Sequence, residues 1–399
     1  MSVMPFRKLA DIDDFFKDDD GWSQIEEGLD EDLMFDTSEV PYFGTLTLAM
    51  LHRLLVPGWK KTLKMVEGQT LLHYSLKQES QSTLRMLIEE HGLDVDAPDG
   101  RRNSPLQTAV KLGYVQSVAT LIRAGADINR RDSGGLTSLH VAARNALGDN
   151  DMSSKFCKII QLLLHANADI DAVTAVGSAT ALHLACKHGN VKEALLLLHS
   201  GAKHSVQDRL GNTSMHLVAG DVDKRCFVVL LMAFGASANI KNCVNTSAMH
   251  SAAEHSEEPK VSLATMFCFN AKLGEVDQEG NSLLHNAAKD EDLVVFLLNN
   301  IQGNVKYLDF QNSCGYTPLH HFAVRHTTKG GKVPEDVLRS IQLLLRSGAS
   351  VRPKNKAGLA IYDSVKLFNL CDVRALLDEE VNSTPSFVQC IRLYDFMVF

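Results

Sequence analysis

Polar and apolar positions repeat along this chain with a period far longer than one helical turn. A hydroxyl residue is followed two places on by Leu or Met and, usually, three places on by His. The pattern runs Thr70-Leu-Leu-His73, Ser104-Pro-Leu-Gln107, Thr137-Ser-Leu-His140 and Thr180-Ala-Leu-His183. It continues as Thr213-Ser-Met-His216, Ser247-Ala-Met-His250, Ser282-Leu-Leu-His285 and Thr317-Pro-Leu-His320, with a worn ninth copy, Ala360-Ile-Tyr-Asp363. Successive starts are 34, 33, 43, 33, 34, 35, 35 and 43 residues apart. A recurrence near 33 residues marks one supersecondary unit used many times.

Each unit predicts two helices. Ser and Thr carry a side-chain oxygen suited to the start of a helix. Pro105 and Pro318 stand next to it, where the first helical position tolerates proline. Small residues at one slot (Ala109, Ala142, Ala185, Ala252, Ala287) let a short inner helix approach its neighbour, while Val218 and Phe322 break that rule. Leucine runs such as 160–164, 195–198 and 341–345 predict an outer helix, and Gly125, Gly201, Gly235 and Gly348 its left-handed stop. One apolar face per unit has nothing inside the unit to cover it, so units must stack. The ninth copy has lost hydroxyl and histidine, as suits a terminal unit facing solvent.

Period, tetrad and the Gly-Ala turns (Ala124-Gly-Ala-Asp-Ile-Asn129, Ala166-Asn-Ala-Asp-Ile-Asp171) resemble the ankyrin repeat over about residues 68–380. The resemblance implies an all-α repeat solenoid of about nine units, each a helix-turn-helix plus a β-hairpin loop, that binds proteins on its concave surface. It also implies that His73, His140, His183, His216, His250, His285 and His320 tie one repeat's backbone to the next. The expected organisation is an acidic arm (1–40), disordered by composition, a helical cap (41–67), the array (68–380) and an apolar tail or cap (381–399).

Composition narrows the class. Apolar content of 45% with 22% charge suits a folded chain. The longest apolar run, 227–234, is far shorter than a membrane span. Residues 1–16 lack an apolar core of signal-peptide length, so signal-peptide secretion is not expected. Eight cysteines without a Cys-x-x-Cys pair suit reduced, partly buried thiols in the cytoplasm or nucleus. Residues 11–36 hold twelve acids and one lysine, so the net charge of −8 conceals a mildly basic remainder of about +3.

No nucleotide loop, nucleophile elbow or His-Glu-x-x-His motif is present, so neither catalysis nor a cofactor is expected. Histidines in separate layers ~8–10 Å apart cannot share a zinc ion. Nucleic acid is disfavoured as a partner, because no basic domain or aromatic-interleaved basic patch occurs. The inner-helix slot seven residues after each start reads Lys77, Lys111, Arg144, Lys187, Gly220, Glu254, Lys289 and Val324. With Arg101, Arg102, Arg130 and Arg131 beside it, this predicts a basic stripe for an acidic protein segment, though basic residues are also common at that slot in ankyrin repeats. Such a segment could be intramolecular: residues 11–36 interleave acids with bulky apolar side chains, a composition equally suited to a solubilising tail. Insertions at 146–155 and 327–336 read either as drift or as a pair of contact loops. The function expected is a protein-binding adaptor. The alternatives are an inhibitor retaining a transcription factor, a substrate receptor of a ubiquitin ligase, or a host-directed microbial or viral effector.

Overall fold

The computed structural model describes residues 69–383, apart from 78–79, 146–149, 256–258, 270, 289, 302–304, 326–332 and 369. The acidic arm at 11–36, the cap at 41–67, Lys289 and the apolar tail therefore lie outside the described residues. Among the described residues nine helix pairs follow one another. They are α1 (Leu71–Lys77) with α2 (Gln81–Glu89), α3 (Pro105–Leu112) with α4 (Val115–Arg123), and α5 (Ser138–Asn145) with α6 (Asn150–His165). Next come α7 (Ala181–His188) with α8 (Val191–His199), α9 (Ser214–Ala219) with α10 (Arg225–Ala233), and α11 (Ala248–His255) with α12 (Pro259–Cys268). The last are α13 (Leu283–Asn286) with α14 (Glu291–Asn300), α15 (Pro318–Arg325) with α16 (Glu335–Arg346), and α17 (Ile361–Leu367) with α18 (Cys371–Ser383). Each pair is one repeat, numbered one to nine.

Odd-numbered helices pack on odd and even on even, giving an inner and an outer layer with the core between them. The third tetrad position is the recurrent knob: Leu72, Leu106, Leu139, Leu182, Met215, Met249, Leu284 and Leu319 are all buried. Burying each such side chain stabilises the stack by roughly 1.5–3 kcal/mol. Val218 and Phe322 are fully buried as well, so the small-residue slot accepts larger groups in repeats five and eight.

The turn after the outer helix reverses through a left-handed residue, with φ +83° at Gly125, +92° at Gly201, +86° at Gly235 and +92° at Gly348. Asn167 takes the same role in repeat three at φ +62°. The hairpin loop is present without a ladder: among the described residues pairing is reduced to two antiparallel bridges, Lys241 to Ser247 and Val276 to Ser282. An Asp or Asn side chain shapes the loop instead. Asp208 Oδ1 accepts the N–H groups of Leu210 and Asn212, both at 2.8 Å, and Asp99, Asp132, Asn242, Asp277, Asn312 and Asn355 do the same in their repeats. At Gly211 (φ +75°) a Cβ would also come within 2.5 Å of the Cys243 nitrogen in the next loop, so only glycine fits.

The first insertion is largely helix. From Asn150 it lengthens α6 to 16 residues, and its Met152 and Phe156 reach Gly113 at the end of α3. Much of what reads as a loop in sequence thus extends the outer layer, because Met152 and Phe156 supply an apolar face.

Candidate functional site

The seven tetrad histidines are buried on the inner helices. Each Nδ1 lies 2.7–2.9 Å from the hydroxyl oxygen of its own cap residue. Nε2 of His73, His140, His183, His216 and His285 lies 3.0–3.1 Å from a carbonyl in the following repeat, those of Asn103, Ala179, Asn212, Thr246 and Tyr316. Every one of these carbonyls belongs to the residue just before the next cap. A carbonyl only accepts, so Nε2 carries the proton and Nδ1 accepts from the hydroxyl. Neither nitrogen is left to ligate a metal or act as a base. At His250 and His320 the matching carbonyls of Asn281 and Leu359 still act on the ring, but no direct hydrogen bond forms at Nε2.

Burial holds all seven rings below the ordinary histidine range, His285 down to about 4. Repeat two has an untitratable substitute: Gln107 accepts from Ser104 N–H at 2.9 Å and donates to the Leu136 carbonyl at 2.8 Å. In the ninth repeat Asp363 accepts from Ala360 N–H at 3.0 Å.

Lys77, Lys111 and Lys187 are exposed and Arg144 is half-buried, one on each of the first four inner helices. The three lysines form no ion pair with a described residue. His188 is held below the ordinary histidine range by burial first and then by Lys187, Arg144 and Lys224, from three successive repeats. Arg101 and Arg102 sit exposed at the loop tip of repeat two, with Arg102 left-handed at φ +64°.

The other two arginines are placed differently. Arg130 is half-buried, and its carbonyl accepts from Gln107. Arg131 donates through Nη1 to the carbonyls of Gly135 at 3.2 Å and Val173 at 2.5 Å. Gln207 and Gln311 make the same brace between successive loops. Arg131 therefore joins two repeats through its guanidinium.

Beyond repeat four the slot reads Gly220, Glu254 and Val324 among the described residues, with Lys289 of repeat seven outside them. A cleft of about 1110 Å³ spans repeats six to eight, bordered by Glu254, Glu279, Asp290, Glu291, Asp292 and Asp336 among others, with no lysine or arginine among its described lining residues. Sequence reasoning missed it. The signal available was a run of acids (Asp290, Glu291, Asp292) at the start of an outer helix, ambiguous with ordinary helix-start chemistry.

Cysteines depart in part from the partly buried set expected. Cys226, Cys243, Cys268, Cys314 and Cys371 are exposed, and none of the seven described cysteines forms a disulfide. Among the described cysteines only Cys186 is buried, its thiol pushed up to about 12 by desolvation. Cys157 is half-buried and also raised to about 12, by burial and by Glu193, which it faces at 3.5 Å.

Family models for ankyrin repeats match residues 43–132 (three copies), 134–175 and 179–209. Rabankyrin-5 of Mus musculus is 27% identical over 226 residues, 52% of this chain and 18% of the relative. Phosphocholine transferase AnkX of Legionella pneumophila is 24% identical over 300 residues, covering 70% of this chain and 32% of its own length. The mouse B-cell lymphoma 3 protein homolog is 28% identical over 47% of this chain and 41% of its own length. The chain thus spans less than half of each of these relatives. Among solved structures the ankyrin repeat domain of Bcl-3 superposes with a TM-score of 0.51 at 24% identity, over 58% of this chain and 99% of that one, a likeness of fold.

Proposed function

The chain belongs to the ankyrin-repeat family, and from that premise we propose that it is a non-catalytic adaptor whose inner-helix face over repeats one to four holds an acidic protein segment. Ankyrin repeats imply protein–protein interaction; the sign of the partner is our reading. The observation that carries it is the row Lys77, Lys111, Arg144 and Lys187, one cation on each of the first four inner helices, of which Arg144 and Lys187 act together with Lys224 on His188. Arg101 and Arg102 extend this field to a loop tip. Arg130 and Arg131 contribute charge while bracing the loops. Arg144, Lys187 and Lys224, near enough to act on one ring, repel one another, and an acidic ligand relieves that repulsion. Free thiols suit a reducing cytoplasmic or nuclear setting. The acidic segment at 11–36 is one candidate occupant, held in cis at high effective concentration.

Retention of a transcription factor is a second reading. It is favoured by likeness to Bcl-3, described as a member of the IkappaB protein family. The lack of an Asp-Ser-Gly-x-x-Ser signal ahead of the repeats weighs against it.

The test is affinity purification from cells with the full chain and with Lys111→Glu/Arg144→Glu/Lys187→Glu. A partner recovered by the first and lost by the second supports the row. Equal recovery removes it from the site.

A further inference from the structure

The residue two places after each loop-forming Asp or Asn stands at the loop tip. In repeats four to six this place is taken by Val176, Leu210 and Val244 (Val176 follows Thr174, in a loop one residue longer), exposed by 70%, 66% and 51%. Elsewhere it reads Arg101, Gly134, Glu279, Cys314 and Ala357. Three neighbouring tips are therefore apolar, and they are held at fixed spacing. Arg209 N–H donates to the Gly177 carbonyl and Cys243 N–H to the Leu210 carbonyl, each at 2.9 Å. No fold requirement puts an apolar residue there, since the same turn forms around arginine, glycine and glutamate in the other repeats. An apolar row exposed to water at three consecutive units marks a surface that something covers.

Its surroundings specify the occupant. Val244 also borders the 1110 Å³ cleft, so the row runs directly into it. Asp290 in that cleft is spent on capping α14, and Glu291 lies 3.9 Å from Arg339. Glu254, Asp292 and Asp336 are exposed and form no ion pair with a described residue. An occupant must bring apolar side chains for the tips and positive charge for the cleft.

We propose that repeats four to eight bind an extended protein segment with two or three bulky apolar residues at one end and a cluster of lysines or arginines at the other. The apolar end lies across Val176, Leu210 and Val244, and the basic end enters the cleft. This goes beyond the acid-binding row of repeats one to four: it is a second surface, with a ligand of opposite charge.

The test pans a random sixteen-residue peptide library displayed on phage against the full chain, then measures the selected peptides by fluorescence anisotropy. Selection should enrich sequences joining an apolar cluster to three or more basic residues. Their affinity should fall about tenfold or more in Val176→Ser/Leu210→Ser/Val244→Ser and again in Glu254→Gln/Asp292→Asn/Asp336→Asn, and should weaken steeply with salt. Lys111→Glu/Arg144→Glu/Lys187→Glu should leave these peptides bound, which separates this surface from the basic row. The salt series on unaltered protein stands even if a variant unfolds. Selected peptides that are acidic, that tolerate both variant sets while these remain folded, or that ignore salt would overturn the proposal.

Discussion

Repeats one to four and repeats six to eight are built on one plan and present different surfaces. Both halves use the same hydroxyl-capped tetrad, with Gln107 for histidine in repeat two, the same buried Leu or Met and, except at Thr174 in repeat four, the same Asx-shaped loop. At the exposed slot of the inner helix, however, the first half carries Lys77, Lys111, Arg144 and Lys187. The second carries Glu254, Lys289 and Val324 at that slot, beside a cleft edged by acids. The contrast teaches that stacking and recognition are separable. Burial and hydrogen bonding fix the tetrad and loop, whereas a slot facing water is free to take either sign.

The largest effect should come from the shared core and should not distinguish the halves. Phe156→Ala in repeat three and Phe322→Ala in repeat eight each empty a fully buried site. Each should cost about 3–5 kcal/mol in urea unfolding. A loss confined to one half would show that the halves do not depend alike on their cores.

Next comes acid sensitivity, where two repeats of the same plan should diverge. A buried histidine with a lowered folded pKa binds fewer protons than its unfolded form. Its stabilisation is therefore complete above pH 6.5 and lost as pH falls towards the folded value. For His285, at about 4, the loss should reach roughly 3 kcal/mol near pH 4. His285→Gln, which copies the natural Gln107, should flatten this part of the stability–pH curve, and Gln107→His should steepen it. Guanidine unfolding from pH 7 to 4 reads both. Parallel curves for all three proteins would mean the ladder does not titrate as described.

The charge of the basic row should matter for binding and hardly at all for folding. Lys111→Glu/Arg144→Glu/Lys187→Glu should lower affinity for an acidic partner about tenfold or more. Thermal stability should change by no more than about 0.5 kcal/mol per site. A large stability loss would place these cations in the scaffold, erasing the contrast between the two halves.

The smallest expected signal is docking of residues 11–36 in cis. Hydrogen exchange at low salt, compared between the full chain and one starting at Val40, should show modest protection around Lys77, Lys111, Arg144 and Lys187 only when the arm is present. That protection should vanish by 1 M salt, where the Debye length shrinks to ~3 Å. Identical exchange in both chains would exclude the arm as the occupant.

What the chain could say alone was what recurs. Caps, knobs, helix stops and period were legible because local backbone chemistry demands the same residue types each time, and nine copies multiply a weak signal. The histidine's reach was implied by the family likeness, but its partner was not visible: the carbonyl of Asn212 bonded by His183 is 29 residues away and carries no side-chain signature. Arg131 looked like any exposed cation until the next loop's carbonyl appeared beside it. The insertion at 146–155 read as drift or as a contact loop, yet the surface near Gly113 gave its Met152, and Phe156 just beyond it, something to cover. The acidic cleft and the apolar tips gather residues from several repeats that are unremarkable one at a time. Sequence determined the unit, because the unit's hydrogen bonds are mostly local. Only stacking decided the surfaces, because a groove or a row exists in the distances between units.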